Sequence, residues 1–173
     1  MELLPGDVGL STIGGRVGAL VSIGQAVIGD GCRYTHARIV LDTFGRAGVT
    51  YLEAMPGGAR IASVHAPDGA WYRLPLDGRQ RQVLSAYGPG LAGTPYGFSD
   101  YLALALHHVA PRARLTARVR RYVQHNGRMI CSQLVDEVLR RAGYHLFTDG
   151  RMPHDVTPGD LFYALTDQGK RVL

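Results

Sequence analysis

Cys131 heads the stretch Met129-Ile130-Cys131-Ser132-Gln133-Leu134-Val135, where a polar and basic run, Gln124-His125-Asn126-Gly127-Arg128, gives way to apolar residues at helical spacing. Leu134, Val135, Val138, Leu139 and Ala142 fall on one face of a helix, Arg140 and Arg141 occupy its last turn, and Gly143 follows as a stop. The spacing predicts a helix that begins at or beside the thiol. First-turn N–H groups and the positive end of the helix dipole favour a thiolate there, and the same N–H groups can hold an oxyanion. The chemistry is nucleophilic attack on a carbonyl. On this stretch alone, a buried structural cysteine at a helix start fits the same residues equally well.

A thiol nucleophile needs a base, and the base needs a third group to orient it. His36 and Glu53 can fill those roles if the elements carrying them pair. Thr35-His36-Ala37-Arg38-Ile39-Val40-Leu41 is a β-branched run, Thr43 to Gly48 is turn material, and Val49-Thr50-Tyr51-Leu52-Glu53-Ala54-Met55 is closed by Pro56-Gly57-Gly58. The pattern predicts an antiparallel hairpin in which His36 lies roughly opposite Glu53. A slip of one residue would send the two side chains to opposite faces. The chain has seven histidines, and a lone one also fits an ordinary structural role.

The remaining elements follow in order. Pro5-Gly6-Asp7-Val8-Gly9-Leu10 reads as a turn and a short strand, and Val17 to Ile28 as a buried helix interrupted by glycines. Arg60 to Val64 and Ala70 to Leu76 read as further strands of the same sheet, followed by a helical piece from about Gly78 to Ala86. Gly88 to Gly97 is a turn-dense ordered loop. Ser99 or Asp100 can cap a helix running through Leu102, Leu106 and Val109. The Pro-Gly-Asp-apolar signature recurs at Thr157-Pro158-Gly159-Asp160-Leu161, and two short matches do not make a repeat.

With 173 residues, 46% of them hydrophobic and 19% charged, the chain is expected to form a single soluble domain over 1–173 with a core that needs no disulfides. Two cysteines, Cys32 and Cys131, make neither a disulfide framework nor a zinc pattern, and no pair of His and Cys has a metal spacing matched by a second pair. No metal and no cofactor are expected. The net charge of +5, carried by arginine at all but one basic position, favours anionic partners. Arg112 to Arg128 is the densest basic segment; it suits a solvated helix face, or a surface that meets an anionic polymer or lipid. Its basic residues do not interleave with aromatics beyond Tyr122 and carry no named nucleic-acid motif. The N-terminus lacks the basic and apolar regions of a secretion signal, and Val17 to Ile28 is too short to span a membrane. The expectation is a cytoplasmic product as synthesised, with delivery to the cell envelope required if the substrate lies there.

Several of these stretches resemble one family. Pro5-Gly6-Asp7-Val8 with Thr35-His36-Ala37-Arg38-Ile39-Val40, then Tyr51-Leu52-Glu53-Ala54, resemble successive strands of NlpC-like cysteine peptidases and amidases. Cys131-Ser132-Gln133-Leu134-Val135 resembles their nucleophile helix, and Gly93-Thr94-Pro95-Tyr96-Gly97-Phe98 a segment preceding their final helices. The order His36, Glu53, Cys131 matches the circularly permuted branch, which includes YiiX-like amidases and is related to lecithin retinol acyltransferases. The likeness spans about residues 5 to 165. One departure is Arg38, a bulky cation where the family commonly has glycine; the third catalytic position also varies across the superfamily.

The resemblance implies an α+β, permuted papain-like fold, with an antiparallel sheet or small barrel packed against helices that include the nucleophile helix. It implies that Cys131 attacks an amide, ester or thioester carbonyl, with His36 as base and then acid and Glu53 orienting the ring. N–H groups at Cys131 and Ser132 would hold the oxyanion, and Tyr96 would line the substrate cleft. The leading expectation is hydrolysis of an amide bond, with cell-wall peptides the substrate class the family suggests. An acyltransferase or thioesterase using the same pair, and a binding protein without turnover, are the alternatives.

Overall fold

Alternation of side chains decides the sheet. Along Ala37-Arg38-Ile39-Val40, alanine and isoleucine face one way and join the main core, while Arg38 and Val40 face the other. The same division runs through Leu52 and Ala54 against Tyr51 and Glu53. A sheet apolar on both faces needs cover on both, and the chain supplies it.

The computed structural model describes residues 2–29, 31–44, 48–97 and 129–173. The helix expected from Ser99 or Asp100 and the basic segment Arg112 to Arg128 lie outside the described residues. In chain order the elements are β1 (Val8–Ser11), α1 (Gly15–Ile28), β2 (His36–Thr43), β3 (Val49–Met55), β4 (Gly58–Val64), β5 (Ala70–Arg73), α2 (Gly78–Tyr87), a 3-10 turn (Gly88–Leu91), α3 (Cys131–Arg141), a second 3-10 turn (Pro153–Asp155), α4 (Pro158–Gln168) and β6 (Lys170–Arg171). The fold is α+β. Its six-stranded sheet has the order β4-β3-β2-β1-β5-β6, and every neighbouring pair is antiparallel.

One face of the sheet carries α3. Val8, Leu10, Ile39, Leu41 and Leu52 meet Leu134, Val135, Val138 and Leu139 in one cluster. The sequence predicts a single apolar stripe on this helix, yet every residue from Cys131 to Leu139 is buried. Its polar side is covered too: Ser132 Oγ donates to the Val156 carbonyl at 2.8 Å, and Glu137 pairs with Arg141 at 3.0 Å. A helix enclosed this way holds its N-terminus in a fixed place. On the opposite face, Trp71 packs with Val40, Tyr51 and Val172. Gly9 makes room for it, because a Cβ there would lie 2.8 Å from the indole ring.

The two Pro-Gly-Asp stretches take different structures. In the first, Asp7 is fully buried; it accepts from the Leu4 N–H at 2.9 Å and from Arg73 at 2.7 Å, and so fixes the turn before β1. In the second, Pro158 opens α4 and Asp160 joins Thr157 in a capping box.

Candidate active site

α3 begins at Cys131. Ile130, in extended conformation, precedes it, and the Gln133 side chain reaches back to accept the Ile130 N–H at 3.0 Å. That bond pins the turn from which the thiol projects. The N–H groups of Cys131 and Ser132 belong to the first helical turn, where a helix offers them no acceptor. The Ser132 hydroxyl is already committed to Val156, so any part it plays falls to its backbone.

His36 is the first residue of β2, and α3 packs against both β2 and β3. Its Nε2 lies 2.8 Å from Glu53 Oε2, with both side chains buried. A carboxylate can only accept, so the ring donates Nε2–H to it and Nδ1 is left for the other side. Nδ1 is buried without a hydrogen bond of ordinary geometry. Burial by itself would lower the pKa of this imidazole. The neighbouring Cys131 thiol and the bond to Glu53, together with their charges, outweigh burial and raise the pKa to about 9. His36 is thus the group that joins thiol and carboxylate.

Glu53 holds its charge despite its surroundings. Desolvation pushes its pKa up, but the His36 and Arg60 hydrogen bonds and charges win, and the carboxyl titrates below its ordinary value. Arg60 Nε and Nη2 both lie on Oε1, at 2.8 and 2.7 Å, while His36 takes Oε2. The strand patterns did not single out Arg60. The signal was in the turn: a two-residue connection, Pro56-Gly57, puts Met55 opposite Gly58 and therefore Glu53 opposite Arg60.

The register differs from the expected one. Arg38, not His36, stands opposite Glu53. A two-residue offset preserves the face, and a diagonal neighbour remains within reach of a long side chain. Arg38 lies between the Tyr51 and Trp71 rings, 5.1 and 5.0 Å from their centroids, and its Nη2 donates to the Asp68 carbonyl at 2.6 Å. The bulky cation that stands where the family commonly has glycine is thus held against these rings and Asp68.

Tyr96 is brought to the site. It bridges to Met129, two residues before the thiol; Gly97 N–H donates to the Met129 carbonyl at 3.2 Å and Met129 N–H to Pro95 at 3.1 Å. Burial, then the charge of Cys131, raises the tyrosine pKa. Cys32, the other thiol, sits elsewhere: it receives a bond from Gln25 Nε2 at 3.3 Å and donates to the Tyr34 carbonyl at 3.1 Å.

Among the described residues, no three His, Cys, Asp or Glu side chains converge to hold a metal ion, and no helix is long and apolar enough to cross a membrane. No protein-family model matches the chain, and no curated protein matches it.

Proposed function

We propose that this chain is a cysteine hydrolase that cleaves an amide bond, built as a circularly permuted papain-like domain. One observation carries the reading: a buried imidazole hydrogen-bonds Glu53 through Nε2, keeps Nδ1 unbonded, and neighbours a thiol at a helix N-terminus. A structural cysteine has no need of an imidazole partner oriented by its own carboxylate.

The steps of this reading are those of a thiol hydrolase. Cys131 Sγ, its proton held by His36, attacks the carbonyl carbon, and the C=O electron pair moves onto oxygen. First-turn N–H groups of α3 stabilise that oxyanion. The C–N bond breaks as the imidazolium gives its proton to the leaving amine, leaving a thioester on Cys131. Water then attacks the thioester and loses a proton to His36. The carboxylic acid departs as the C–S bond breaks, and the thiol–imidazole pair is restored. Glu53 keeps the ring in the tautomer that both half-reactions need. Peptide amides, including those of cell-wall peptides, are the substrate class proposed, with Tyr96 beside the acyl group.

The test is a trapped intermediate. Incubation with activated esters and peptide amides, followed by peptide mapping, is expected to place an acyl mass on Cys131 and none on Cys32. The adduct should vanish in His36→Ala, and product should appear with water as acceptor. Product appearing only with an added amine or alcohol acceptor would identify a transferase. Absence of any Cys131 adduct across both substrate classes would contradict the proposal.

A further inference from the structure

Glu53 has two oxygens and divides them: Oε2 serves His36 and Oε1 serves Arg60. The side chain of Glu53 is 5% exposed, whereas that of Arg60 is 60% exposed on edge strand β4. As an edge-strand ion pair with one partner in water, the contact would add little stability. Its consequence for the buried partner is larger.

We propose that Arg60 is a positioning residue that holds Glu53 as an obligate acceptor and thereby fixes which nitrogen of His36 carries the proton in the neutral ring; this rests on the thiol mechanism above. Arginine is always charged, has five donors and accepts nothing. With Nε and Nη2 both on Oε1, the carboxylate plane is fixed and Glu53 stays ionised in a buried place where desolvation opposes its charge. An ionised Glu53 has no proton to give, so Nε2 must be the donor and the neutral ring keeps Nδ1 free to accept a proton. Were Glu53 to become protonated, its O–H could donate to Nε2. The proton would then sit on Nδ1, where the base is needed, and the imidazole could not accept from Cys131.

The charged groups around Glu53 agree with this role. From β2, His36 binds it and Arg38 stands opposite in register; from β4, Arg60 binds it; Cys131 reaches His36 from α3; and Asp68, beyond Arg38, is held by that guanidinium. Asp68 neutralises Arg38, so among the described residues His36 and Arg60 are the cations that bear on Glu53, and of the two Arg60 keeps its charge at every pH.

The experiment compares the parent with Arg60→Ala and Arg60→Lys, using two readouts on the intact chain. The first is the His36 ring Nε2 proton by nuclear magnetic resonance, a resonance shifted strongly downfield by a short bond to a carboxylate. The second is the alkylation rate of Cys131 by iodoacetamide near pH ~6. Arg60→Ala is expected to leave folding intact, abolish the downfield proton and slow Cys131 about tenfold, as small misplacements of reacting groups do. Arg60→Lys is expected to recover part of both. A downfield proton and an alkylation rate that are unchanged in Arg60→Ala would overturn the proposal, as would the absence of that proton from the parent. A proton that responds to Arg60 while Cys131 is slow in every protein would sustain the Arg60–Glu53–His36 chain and remove the thiol mechanism.

Discussion

Glu53 faces Arg38 across the β2–β3 ladder, yet its Oε2 lies 2.8 Å from Nε2 of His36, two residues away on the same face. A bulge makes this possible. Near the turn the pairing is Thr43 with Val49 and Asp42 with Thr50; beyond it, Val40 pairs with Tyr51, so Leu41 is the extra residue. Continued without the bulge, the same register would set Glu53 opposite Ile39, on the core face, and separate it from the imidazole. Helix α2 supports the irregularity, with Ser85 Oγ donating to the Leu41 carbonyl at 2.5 Å.

Glu53→Gln keeps the shape of the side chain and removes its charge. The His36 pKa should fall from about 9 toward its ordinary 6.5, read by titrating the ring proton resonance. A histidine whose folded pKa is raised contributes stability that is full below its unfolded value and is lost as pH rises through the folded one. The variant should therefore lose most stability near pH ~6, on the order of 2 kcal/mol, and little above pH ~9. An equal loss of Tm at both pH values would show that the effect is not electrostatic.

Asp136, on α3, also has a raised pKa, but there the charged form is the one the fold opposes. Burial, with Glu137 adding to it and Arg140, His145 and Arg151 opposing, raises its pKa from 3.8 to about 6. Between those values the folded chain retains a proton that the unfolded chain has released, so stability falls as pH rises through that window. Asp136→Asn should be more stable than the parent by roughly 1–2 kcal/mol near pH ~8 and no more stable near pH ~4. Thermal unfolding at the two pH values decides it.

Asp7 tests the foundation of β1. Its buried carboxylate binds Arg73 and lies 3.8 Å from Arg81. Asp7→Ala strands these guanidinium groups and should cost about 3–5 kcal/mol in denaturant unfolding. A loss under ~1 kcal/mol would mean that solvent replaces the carboxylate freely.

The sequence conveyed the thiol's position better than its partner's geometry. Helical spacing after Cys131 located the start of α3, because an apolar stripe has a definite period. Glycine-rich turns bounded β2, β3 and β4, and the alternation within them separated the two faces. The bulge at Leu41 was hidden, because an inserted residue leaves no mark on a run already apolar at Ile39, Val40 and Leu41. Arg60 was legible in principle from its two-residue turn, but only once the strand is carried through Gly58. The burial of Asp136 and Glu137 was not, since it depends on what the second 3-10 turn and α2 place against the polar side of α3.

The most direct measurement is the rate at which Cys131 is alkylated as pH is varied, in the parent and in His36→Ala, with Cys32 followed in the same digest by mass spectrometry. Cys131 is only 2% exposed, so the measurement also asks whether a reagent reaches it. Cys131 is expected to react rapidly near pH ~6, faster than Cys32 in the same digest, and this reactivity is expected to disappear without His36. Slow reaction at both cysteines with the same dependence on pH, unaffected by His36→Ala, would contradict it.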